Sequence, residues 1–300
     1  MNSSSATDSP KISRRQIREA TVQLLHATAS EEEKGGDPWP LILATANGKV
    51  LRVQSRAVLH LQQNRPSRLK PLSTEPAKSL SLLENYLEDR NASRQFRSLL
   101  KSEKEISELL DILRRQLKSE KEPETVAGTL TRIQELNLAS LQSQTTLADV
   151  LGSVDTCPEP LRPMAKALPP LLETSKMLQS LLSLSIPERP ETKALREAIA
   201  ERELLQTEIT KLHQLVTSHQ KETDQLLTNH LENFAFDRLA QVDRAVLRLA
   251  TTELTHCPEI PAAVSINEAI EVARRFGGTE SAGFVNGVLD KLKSVLPTSD

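Results

Sequence analysis

The sequence predicts an all-α protein: helical bundles with an inserted helical region and one small β-hairpin. Two observations carry the helices. Leucine and isoleucine recur three and four residues apart in segment after segment, and helix-start signatures precede several of those runs. A third observation carries the hairpin: Asn47-Gly48, a strong two-residue turn signal, lies between the apolar stretches 41–46 and 49–54.

Met1–Pro10 is rich in Ser and reads as disordered. Ser13 and Gln16 then form a capping box, and Ile17, Thr21, Leu24, Leu25 and Thr28 share one side of the helix behind it. Lys11, Arg14, Arg15 and Arg18 crowd the N-terminus of that helix. Cations there oppose the helix dipole, so they do not serve the isolated helix, and a phosphate-bearing partner would relieve the conflict. Residues 31–38 read as an acidic linker. Gln62–Ala77, with Pro66, Pro71 and Pro76, reads as a loop whose Arg65, Arg68 and Lys70 are solvated.

From Lys78 to Glu122 the leucines again fall at helical spacing, and Pro123 suits the first turn of the next helix, which runs towards Gly152. Pro158, Pro160 and Pro163 mark a break. A short helix is expected over Leu171–Leu184, ended by Pro187 and Pro190. Leu195, Ala198, Arg202, Leu205, Ile209, Leu212 and Val216 then alternate by three and four, a seam suited to shallow packing on a neighbouring helix. A turn is expected near Gln220–Thr223. Ser265 and Glu268 read as a second capping box, Gly277 as a left-handed cap, and Thr279 as a new helix start. Gly283 and Gly287, four apart, strip one helix face of side chains, which favours close approach by a helix or a ligand.

Composition narrows the function. With 38% hydrophobic and only 2% aromatic residues, leucine must supply most of the core. A net charge of −2 offers no global attraction for nucleic acid, so any such binding needs a local patch. Cys157 and Cys257 have no metal-ligand spacing and read as reduced thiols. The six histidines are scattered and read as structural or exposed, and no metal or cofactor is expected. No Walker loop, dinucleotide fingerprint, zinc-protease helix or nucleophile elbow occurs, which points away from an enzyme. No apolar run suits a membrane span, and the expected location is the cytoplasm.

SINEAIEVARRFG, Ser265–Gly277, followed by FVNGVLDK, Phe284–Lys291, closely resembles the C-terminal signature of the NusB family of bacterial antitermination factors. LAQVDRAVLRLATTEL, Leu239–Leu254, and SRRQIREATVQLL, Ser13–Leu25, match the same family in the same order. The resemblance implies a NusB-like domain made of residues 11–30 and 191–297, with 1–10 outside it and 31–190 inserted. It also implies a function: binding boxA-like single-stranded RNA with the ribosomal protein NusE, within the RNA polymerase antitermination complex. Carried over by residue, Lys11, Arg14, Arg15, Arg18, Glu280 and Phe284 would face RNA. His26, where the family often has tyrosine, would face NusE with Asp237 and Asp243. Leu215 stands where the family has glycine. Two other readings remain open: an interaction scaffold that has lost RNA binding, and an RNA-methyltransferase accessory domain, which the missing nucleotide-binding glycine motif disfavours.

Overall fold

The structure, a computed structural model, describes residues 12–29, 36–87, 90–152, 155–231 and 235–295. Lys11, the expected disordered N-terminus and most of the expected acidic linker lie outside these residues. Among the described residues the chain is helical, with short 3-10 turns and no strand. It divides into two compact units, 1–47 with 200–300, and 48–199.

In the first unit, α1 (Arg14–Ala29) begins as its capping box predicts. The Gln16 amide donates to Ser13 Oγ at 3.1 Å, and Gln16 Oε1 accepts from the Ser13 amide at 3.2 Å. Its apolar face splits between two clusters. Val22 and Leu25 join the main core with α10 (Gln220–His230), α11 (Gln241–His256) and α12 (Ala262–Val295). Ala20 and Leu24 pack with Leu43, beside the short α2 (Trp39–Ile42), and with Ile209 of α9 (Lys193–Ser218). The predicted seam along α9 is therefore distributed: Leu195 and Ala198 bury in the second unit's core, Ile209 in the small cluster and Val216 in the main one. The turn after α9 falls at His219, and Gln220–Thr223 already belongs to α10.

Two readings of α12 change. The helix starts at Ala262, so Ser265 is one turn inside it and buried, and Glu268 caps nothing. The break comes at Gly278, with φ +85°, rather than at Gly277. Gly277 has its own requirement, since a Cβ there would collide with the Ser281 side chain.

The second unit is built on two helices of 29 residues each, α6 (Arg90–Lys118) and α7 (Pro123–Leu151), with Pro123 in the first turn as expected. α8 (Arg162–Leu182) packs on α7, and α4 (Arg65–Ser73) packs on α8. α8 begins well before the predicted Leu171. Its buried face (Ala165, Leu168, Leu171, Leu178) runs straight across Pro169 and Pro170, so burial outweighs the roughly 3 kcal/mol cost of a helical proline.

The expected hairpin is absent: residues 44–61 form α3 (Ala44–Leu61), with Asn47-Gly48 inside it. Leu43, Val50, Gln54 and Val58 are buried at helical spacing, which a period-2 strand would undo. Gln54 adds a specific tie, donating to the Leu181 and Leu182 carbonyls at 2.8 and 3.2 Å, where α8 ends. Burying each large apolar side chain is worth about 1.5–3 kcal/mol, more than the local turn preference. The expected loop at 62–77 is also helical, comprising a 3-10 turn (Gln62–Asn64), α4 and the start of α5 (Pro76–Tyr86). Pro66 and Pro76 sit in first turns, where their missing amide costs nothing. Arg65 is buried rather than solvated. It donates to both Glu103 oxygens, at 2.7 and 2.5 Å, and to Ser175 Oγ at 3.0 Å.

Gly48 provides a test of helix against hairpin. A Cβ there would meet only Pro123 Cγ, at 3.9 Å, an ordinary contact. Gly48→Ala should therefore raise stability by up to about 1 kcal/mol in urea unfolding. A turn glycine at this position would make the same change destabilising.

Candidate functional site

The N-terminal turns of α1 carry Arg14, Arg15 and Arg18, and the structure separates these three cations. Arg18 is 4% exposed and gives a two-pronged bond to Glu253 of α11, itself 3% exposed, with Nε–Oε1 at 2.8 Å and Nη2–Oε2 at 3.1 Å. Fork-to-carboxylate pairing is what makes an arginine tolerable at that depth. Arg15 makes the same kind of bond to Glu268 of α12, both N–O distances being 2.9 Å, but stays 49% exposed. Arg275 of α12 answers in the other direction by donating to Glu19 of α1. The conflict between these cations and the α1 dipole is thus relieved largely from within the chain. Glu268, read as a cap, is spent on Arg15.

Arg14 differs. It is exposed and makes no ion pair among the described residues. It edges a groove of about 330 Å³ whose walls include Ile17, Lys211, Leu212, Leu215 and Ile260. Leu215, where the resemblance implies glycine, is thus a wall of this groove. The groove is of mixed sign, since Glu208, Glu253 and Glu259 also line it.

Phe284 and Glu280 lie on α12 beyond the Gly278 break. Glu280 is exposed, while Phe284 is half-buried and packs against the main core. Phe284 also lines a second hollow of about 220 Å³ with His230, Gly283, Gly287 and Lys291. A Cβ at Gly283 or Gly287 would meet nothing among the described residues, so the small-residue face opens onto this hollow rather than onto a helix. On the expected protein-partner side, His26 is in the last turn of α1, Asp237 is exposed in the 3-10 turn Phe236–Arg238, and Asp243 is in the first turn of α11. Asp243 Oδ1 is buried without a hydrogen bond among the described residues, 3.4 Å from where a Gly277 Cβ would lie.

The thiols are chemically quiet. Both cysteines are free and buried, and burial pushes each thiol's pKa up; nearby Glu259 and Glu253 raise Cys257 further. No helix among the described residues is long and apolar enough to cross a membrane.

A family model described as the NusB family matches residues 173–294. Several relatives carry the name "Transcription antitermination protein NusB". That of Bacillus subtilis is 40% identical over 124 residues, which are 41% of this chain and 94% of the relative. That of Geobacillus kaustophilus is 39% identical over 121 residues, 40% of this chain and 92% of the relative. That of Myxococcus xanthus is 49% identical over 81 residues, 27% of this chain and 58% of the relative. The family-model match begins beyond α1, yet α1 packs on α11 and α12 within the first unit.

Two stability measurements separate the arginines. Arg18→Ala would strand Glu253 and should cost about 3–5 kcal/mol in urea unfolding. Replacing both partners, Arg18→Met with Glu253→Met, should recover most of that loss. Arg15 acts through pH: its hydrogen bond and its charge hold the Glu268 carboxyl below the ordinary carboxylate value. A depressed carboxylate stabilises the fold above its unfolded-state pKa and loses that contribution as pH falls through the folded value. The parent should therefore unfold at a higher temperature than Glu268→Gln near neutrality, and the gap should close below about pH 4.

Proposed function

For this chain, which belongs to the NusB family, we propose a role in transcription antitermination. It binds a short boxA-like single-stranded RNA together with NusE, as part of the RNA polymerase antitermination complex in the cytoplasm. It works by binding and catalyses no reaction. One observation carries this reading: the similarity runs over nearly the full length of relatives named for antitermination.

Geometry supports a particular division of labour. Arg14 is the phosphate contact that makes no ion pair among the described residues, and Arg15 is half-exposed and can share its guanidinium between Glu268 and a phosphate. Arg18 holds α1 in place and offers nothing to RNA. Phe284, beside the open glycine face, offers a ring edge for an unpaired base, with Glu280 as an acceptor one turn earlier. Lys11 would add a further cation, and His26, Asp237 and Asp243 would meet NusE.

One observation favours the scaffold reading, in which RNA binding has been lost: two of the three described cations already have carboxylate partners. RNA titrations with and without NusE, across a salt series, distinguish the two. Arg14→Gln with Arg15→Gln should lower affinity and flatten the salt slope by about 0.7 per lost phosphate contact. Phe284→Ala, provided its unfolding midpoint matches the parent's, should cost about 1–3 kcal/mol of affinity and leave the slope alone. If the double glutamine variant binds RNA as the parent does at low salt with NusE present, the RNA reading fails and the scaffold reading takes its place.

A further inference from the structure

Away from the α1 arginines, three side chains with metal-binding atoms converge where α9 meets α10. His219 is the single residue between those helices, Glu222 lies in the first turn of α10, and His256 is the last residue of α11. The two imidazole rings stack with centroids 3.7 Å apart and an interplanar angle of 26°. Glu222 Oε2 lies 3.5 Å from His219 Nδ1 and 3.7 Å from His256 Nε2. All three donor atoms fall within 4.8 Å of one another.

These separations are longer than ordinary hydrogen bonds. A hydrogen bond to nitrogen spans about 2.7–3.2 Å, so the carboxylate sits beside two ring nitrogens and bonds to neither. His256 Nε2 is buried and has no hydrogen-bond partner among the described residues, an arrangement that costs free energy unless something fills it. A tetrahedral ion with bonds of about 2.0–2.1 Å sets its ligand atoms roughly 3.3 Å apart. The two observed gaps are within a few tenths of an ångström of that edge.

We propose that His219, Glu222 and His256 form a binding site for a late first-row divalent cation, with zinc the best match. Two imidazoles and one carboxylate are a zinc donor set that leaves a fourth position for water. Binding requires one ring to turn about χ2 so that both lone pairs converge on the ion. His219, at the helix junction and 35% exposed, is the ring that would turn, giving up its stacking on His256; Glu222, 68% exposed, can close from solvent. His256, 23% exposed and held at the end of α11, is the fixed ligand. A bound ion would tie the α9–α10 junction to the C-terminal end of α11.

Equilibrium dialysis of the full chain against zinc chloride, with Co²⁺ substitution as a spectroscopic probe, tests this. One zinc per chain should bind, the Co²⁺ form should show tetrahedral d–d absorption, and the unfolding midpoint should rise with zinc concentration. His219→Gln and Glu222→Gln, both at accessible positions, should weaken binding at least as much as the about 10–100-fold typical of outer-shell losses. His256→Gln should do the same, and His60→Gln, in the other unit, should leave binding unchanged. The proposal is overturned by the absence of saturable 1:1 binding, or by zinc affinity that survives the His219 and Glu222 substitutions in chains that remain folded.

Discussion

The bond between Arg18 and Glu253 settles where the first helix lies. Both groups are almost wholly buried, and a buried charge is tolerable only against its partner, so α1 has one docking position on α11. The apolar residues on either side then follow: Val22 and Leu25 enter the main core, while Ala20 and Leu24 turn to α9 and Leu43. Arg15 with Glu268, and Arg275 with Glu19, repeat the cross-helix pairing nearer the surface, where each is worth less and serves mainly to align α1 with α12.

The same bonds change the meaning of residues that a local reading treats as helix punctuation or as ligand contacts. Glu268 looks like half of a capping box because the sequence shows only its three-residue distance from Ser265. Its real partner is 253 residues away. Ser13 and Gln16 read correctly because both halves of their box are local and nothing distant competes for them. The cations of α1 posed a real electrostatic problem, and the sequence could not reveal that glutamates of α11 and α12 solve most of it.

The middle of the chain was legible in kind but not in detail. Its leucine spacing announced helices, and Pro123 marked a start. Asn47-Gly48 pointed the wrong way because turn preference is a local energy, and the burial of Leu43, Val50 and Val58 outweighs it. The three prolines of 62–77 suggested a loop, yet two occupy first turns, and Arg65 beneath them belongs to a buried network with Glu103 and Ser175. The histidine pair was invisible for a simpler reason: His219 and His256 meet only in space, and His219–Glu222 was the sole local hint.

The separation between Arg18 and Glu253, 235 residues, has a consequence during synthesis. At about 5–20 residues per second, roughly 10–50 s pass between the emergence of α1 and that of its partner. The intervening unit, 48–199, has cores of its own and can form meanwhile, but α1 cannot bury Val22, Leu24 or Leu25 alone. For that interval the ribosome displays an amphipathic helix-former with an unpaired basic end. The apolar face of α1 therefore stays without its packing partners until α11 has emerged.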